Sequence, residues 1–314
     1  MKKVSRLLSA MIAFAALAYF SIHAYENLKD HDLRQLLSLP TLAASVVLVL
    51  QYMALIPILA ITWKWLLDSI GEPVQFAVVV PILAATQFGK YLPGNIAHHF
   101  GRVVVARSSG LKTAPVMFSM AYETVIMLVA CVHVGALTLL WNPPMALEQW
   151  PLAHQRGLIT ILVSIGALCM IMLLPRIVHV FMKLRVGGKA AEQDPLNSRL
   201  DWGTVFACYF FYTLAYALVG FGLWLVAASL VPEKATFTNF IFLTGAFASS
   251  WVLGFLAPGA PAGLGVREAV LFAWLGVVFG SPVAVSLVIV LRIATTVGDL
   301  LNFLLGSWAL ARKS

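Results

Sequence analysis

Gly89-Lys90-Tyr91-Leu92-Pro93-Gly94-Asn95, running on to Arg102, and Gly254-Phe255-Leu256-Ala257-Pro258-Gly259-Ala260, running on to Arg267, decide the reading of this chain. The stretches lie 165 residues apart, and the offset pairs Gly89 with Gly254, Pro93 with Pro258, Gly94 with Gly259, Ala97 with Ala262 and Arg102 with Arg267. Five identities in a 14-residue window exceed the roughly one that average composition gives. Gly and Pro interrupt a membrane helix, and an arginine inside one needs a partner. Each stretch therefore reads as a break in an apolar segment, once in each half of a duplicated membrane protein.

Composition leaves one class. Of 314 residues, 61% are hydrophobic and 11% charged, against about 25% charged in a soluble domain. Mean hydropathy is +0.91. The expected fold is an all-α polytopic integral membrane protein. The net charge of +8 is absorbed by the positive-inside rule, so no nucleic-acid partner is expected. Cys131, Cys169 and Cys208 sit at unrelated spacings in apolar runs and form neither a metal pattern nor a disulfide framework.

Taken outward from the breaks, the chain divides into four parts. Residues 1–38 hold a first helix and a polar loop; the poor cleavage site Ile22-His23-Ala24 favours a retained helix over a signal peptide. Residues 39–141 form a first repeat: a span at 39–67, a broken hairpin at 74–112 and a span at 113–141. Residues 142–202 hold a connecting span at about 157–175 and a basic linker. Residues 203–314 repeat the pattern, with a span at 203–230, a broken hairpin at 237–280 and a last span at 282–311. The arms of the first hairpin are short, so it is either re-entrant or a pair of short crossings. Trp63, Lys64 and Trp65 look like an interfacial anchor, and the other Trp and Phe residues like lipid-facing or belt residues.

Lys2, Lys3, Arg6, Lys64, Lys112, the linker, Arg312 and Lys313 fall on one side, against Lys29, Arg34, Arg156 and Lys234 on the other. Both termini are thus expected in the cytoplasm, in the inner (cytoplasmic) membrane. The halves then run in opposite senses, an inverted-topology repeat with two broken hairpins, which is a transporter architecture.

The charges inside apolar runs are the candidate site. Arg102 and Arg267 each lie eight residues past a Pro-Gly, about 12 Å along a helix, which places them toward opposite leaflets. A guanidinium fork suits phosphate; the competing reading is an ion pair with Glu123 or Glu268. Helix starts after Pro93-Gly94-Asn95 and after Gly259 offer free N–H groups to an anion, and Gly263 and Gly265 leave backbone open to a ligand. Lys90 either meets phosphate or snorkels to water. Glu123, Arg292 and Asp299 are coupling or ion-pair residues: Glu123 pairs with an arginine or carries a proton, and Arg292 and Asp299 share a helix face. Adjacent helical residues such as His98 and His99 point about 100° apart and do not easily bind one ion, so no metal and no cofactor is expected. His133 reads as a satisfied helix histidine.

Lys90-Tyr91-Leu92-Pro93-Gly94 to Arg102, then Gly110-Leu111, resembles the first signature of the lysylphosphatidylglycerol synthase transmembrane-region family. The run from Pro258 to Arg267-Glu268 resembles the second, P-x-P-G-G-x-G-x-R-E, with Ala262 where a Gly is expected. His98-His99-Phe100 departs from the Gly-Glu pair common before Arg102, so no acidic role transfers there. The resemblance covers nearly the whole chain. It implies a flippase-like membrane part, here expected as a stand-alone member without the aminoacyl-transferase domain, and not itself an enzyme. The expected function is translocation of an anionic phospholipid or a polyprenyl-phosphate-linked glycan. The alternatives are an ion-coupled transporter of a small anion, or a membrane subunit or lipid-modifying enzyme partnering a separate glycosyl- or aminoacyl-transferase.

Overall fold

The structure is a computed structural model, and it describes residues 21–22, 25–26, 33–92, 97–141, 155–178, 180, 201–257 and 260–312. The expected first span, most of the basic linker, and Pro93, Gly94, Asn95, Pro258 and Gly259 lie outside the described residues. Among the described residues there is no strand. The longer helices are α1 (Leu39–Ser69), α2 (Phe76–Gln87), α3 (Ala97–Ser108), α4 (Thr113–Trp141), α5 (Arg156–Met172), α6 (Trp202–Leu230), α7 (Phe237–Leu256), α8 (Val266–Phe279) and α9 (Ser281–Ala311). The protein is a multi-pass membrane protein: among the described residues six helical segments are long and apolar enough to cross a bilayer.

Helix length follows from the apolar runs. With 29–31 residues each, α1, α4, α6 and α9 rise about 43–47 Å, more than the roughly 30 Å of hydrocarbon. Their ends are set by ordinary signals. The Asp201 carboxylate accepts from the Thr204 N–H at 2.9 Å to start α6, and the Thr236 hydroxyl accepts from the Asn239 N–H at 3.2 Å to start α7. Both are N-caps.

The hairpins are unequal. In the first, α2 and α3 have 12 residues each, about 18 Å and too short to span. In the second, α7 has 20 residues and Pro261–Phe279 has 19, enough to cross.

Packing is reciprocal between the halves. Helices α1 and α6 pack on each other; α2 packs on α9, and α7 packs on α4. Small residues permit the approach: a β-carbon on Gly306 of α9 would stand 2.5 Å from the Ala85 backbone N of α2, so only glycine fits. One core runs through α1 and α4–α9, and a smaller one holds Ala60, Trp63, Ile82 and Val116 among α1, α2 and α4. Large apolar side chains such as Leu50, Ile161 and Leu304 face outward, as lipid contact demands.

Candidate functional site

Lys90 sits in the 310 turn Phe88–Tyr91 that ends the first arm of hairpin one. Its Nζ lies 2.7 Å from Asp299 Oδ2 and donates to the Tyr52 hydroxyl at 2.9 Å. Tyr91 donates to the same Asp299 oxygen at 2.7 Å. Asp299, 1% exposed in the middle of α9, thus fastens the hairpin to the last helix. The charge on Lys90 is neutralised by Asp299 rather than led to water.

Arg102 is carried by α3 and is 4% exposed. Its Nη1 donates to Glu123 Oε2 on α4, and its guanidinium lies 4.9 Å from the Trp63 ring centroid, a cation–π contact. The ion-pair alternative with Glu123 is therefore realised. Trp63 is fully buried and donates its Nε1–H to Ser119 Oγ at 2.9 Å. It is a core residue, which corrects its reading as an interfacial anchor. Its neighbour Lys64, about 100° round the helix, pairs outward with Asp68.

Arg267 is the second residue of α8. Gly265 precedes the helix at φ 83°, backbone that glycine adopts without steric cost. The Arg267 side chain passes between two glycines. A β-carbon on Gly254 would stand 2.2 Å from Arg267 Cγ, and one on Gly263 would stand 2.7 Å from its Nε. Gly263 thus makes room for an arginine, where the sequence suggested backbone open to a ligand. The guanidinium lies 5.4 Å from the Trp251 ring centroid, and among the described residues Nε has no hydrogen-bond partner. Among the described residues no carboxylate pairs with Arg267. Glu268 turns the other way and pairs with Arg292 of α9. Arg292 and Asp299, seven residues apart on α9, therefore serve different partners.

These side chains surround one cavity of about 140 Å³. Lys90, Arg102, Glu123 and Arg267 line it, and Trp251 and Phe255 add an aromatic wall with rings stacked at 5.2 Å. The two arginines expected toward opposite leaflets share this one space. Glu268 is absent from its lining and falls with Arg292 on a smaller adjoining void. His98 and His99 also line the cavity, with ring centroids 3.9 Å apart. Among the described residues no three His, Cys, Asp or Glu side chains gather to hold a metal ion. His133 lies elsewhere, its ring nitrogens engaged by Tyr209 and, at 3.1 Å, by Ser164.

Tyr52, Trp63 and Trp251 were missed by sequence reasoning as site residues. The available signal was local: Trp251 and Phe255 are four apart and share a helix face flanking Gly254. That places an aromatic face beside a residue with positional meaning.

The family model described as Lysylphosphatidylglycerol synthase TM region matches residues 6–301. No curated protein matches the chain.

Proposed function

The chain belongs to the lysylphosphatidylglycerol synthase transmembrane-region family, and on that footing we propose that it moves an anionic lipid headgroup between the leaflets of the inner membrane. The carrying observation is the composition of the cavity. Cations from both halves, Lys90, Arg102 and Arg267, share it with the aromatic wall of Trp251 and Phe255. A phosphate headgroup suits the guanidinium forks, and acyl or prenyl carbon suits the wall. A small water-soluble anion would have no use for that wall. Each such charge costs about 2.5–3.5 kcal/mol on insertion scales, so their concentration at one cavity favours a functional reading.

In this reading the halves form an inverted repeat, with both termini cytoplasmic. Reciprocal packing supports it: α2 rests on α9, while their counterparts at the 165-residue offset, α7 and α4, rest on each other. The headgroup meets Arg102 on hairpin one and Arg267 on hairpin two. The protein acts as a carrier, and no bond-making step is assigned to it.

Native mass spectrometry of lipids retained by the detergent-purified protein tests this. Wild type is expected to retain an anionic phospholipid or a polyprenyl-phosphate-linked lipid, depleted in Arg267→Ala. Equal retention of neutral and zwitterionic lipids by both proteins would refute the reading.

A further inference from the structure

Charge pairing around the cavity leaves a remainder. Four lysine and arginine side chains, Lys90, Arg102, Arg267 and Arg292, lie in or beside it along with His98 and His99, and with three carboxylates, Glu123, Glu268 and Asp299. Each carboxylate takes one base: Glu123 takes Arg102, Asp299 takes Lys90 and Glu268 takes Arg292. Among the described residues Arg267 is the base left over. It is also the one held in place by geometry. The slot between Gly254 and Gly263 admits its side chain and Trp251 backs its guanidinium; among the described residues its Nε, like Arg102 Nε and Arg292 Nη2, has no hydrogen-bond partner. A cation so placed in the membrane interior is expensive without a counter-charge.

We infer that the cavity selects a phosphodiester carrying one net negative charge, with Arg267 as its counter-ion. The inference rests on the lipid reading above and narrows it. A second negative charge on the ligand would find the other three bases already committed to carboxylates. A zwitterionic headgroup would leave the sum at the cavity unchanged. A phosphodiester with an otherwise neutral headgroup ionises once. A phosphomonoester ionises twice, with a second pKa of about 6. Two sources share the diester chemistry, a glycerophospholipid with an uncharged polar head and a sugar linked to a polyprenol through one phosphate.

The test is a lipid competition at pH 8, where a monoester is dianionic, read by native mass spectrometry of the full chain. The probes are phosphatidylglycerol, a polyprenyl-monophosphate sugar, phosphatidic acid and phosphatidylethanolamine. The expected result is that at least one diester outcompetes the monoester and the zwitterion by about tenfold or more, about 1.4 kcal/mol; whichever diester leads identifies the source. The ranking is expected to follow the charge remainder. Arg267→Gln sets the remainder to zero and removes the preference over phosphatidylethanolamine. Glu123→Gln and Asp299→Asn each raise it by one and shift the preference toward phosphatidic acid.

A wild type that binds phosphatidic acid as well as the diesters overturns the inference and leaves the lipid reading standing. So does a ranking that the acid variants do not move. Failure of every anionic lipid to displace the zwitterion overturns both. Should Arg267→Gln not fold, the wild-type ranking and the two acid variants decide.

Discussion

Arg102 and Arg267 occupy equivalent positions 165 residues apart and line the same cavity, yet among the described residues only Arg102 has a carboxylate partner. The difference is written in the neighbouring helices. On hairpin one the base is on α3 and the acid, Glu123, on α4. On hairpin two the acid, Glu268, is on α8 and the base, Arg292, on α9. The same pair of elements is tied by a bridge of reversed polarity, and that reversal leaves Arg267 for the cavity.

Glu123→Gln should destabilise the protein by about 3–5 kcal/mol, because a buried arginine loses its partner. The double variant Arg102→Leu with Glu123→Leu should recover most of that loss, since an apolar pair needs no compensation. Reversible unfolding in mixed detergent measures both. A double variant as unstable as the single would mean that the pair contributes more than mutual neutralisation.

Gly254→Ala should displace Arg267, because its β-carbon would fall 2.2 Å from Arg267 Cγ. Overpacking of this kind costs about 1–3 kcal/mol. Adding Arg267→Ala should restore the stability and leave lipid retention lost. If Gly254→Ala is equally harmful with and without Arg267, the slot is not the reason for the glycine.

Asp299→Asn should free the end of the first arm, which Asp299 holds through both Lys90 and Tyr91. Hydrogen exchange across Phe88–Tyr91 is expected to accelerate, with the ends of α9 little changed. Unaltered exchange in that turn would show that other contacts hold it.

Trp63→Ala should cost about 3–5 kcal/mol, the range for emptying a large aromatic site in a core. A thermal melt that shifts no more than for an exposed membrane-facing residue would restore the interfacial-anchor reading.

The long helices were legible because uninterrupted apolar runs of that length have no other solution in a bilayer. The stretch read as a span at 113–141 is α4, and the one at 203–230 is α6 within one residue. Charged side chains in such runs were conspicuous for the same reason, so Lys90, Arg102, Glu123, Arg267, Glu268, Arg292 and Asp299 all entered the candidate list. Their pairing was not legible. Three acids and four bases can combine in many ways, and the choice is set by which helices touch. Trp63 shows a second limit. Its neighbour Lys64 suggested the membrane surface, but adjacent helical residues face different ways, and only packing reveals which one turns inward. Gly263 shows a third: a glycine that makes space says nothing about whether a ligand or a side chain will fill it.

The most direct measurement is lipid movement between leaflets. Purified protein is reconstituted into vesicles doped with an anionic phospholipid labelled on its acyl chain, and the label on the inner leaflet is followed as it becomes accessible outside. The account predicts that wild type accelerates this exchange and that Arg102→Ala and Arg267→Ala each slow it about tenfold or more, an effect of about 1.4 kcal/mol. No acceleration for any anionic headgroup, or full rates in both arginine variants, would contradict it.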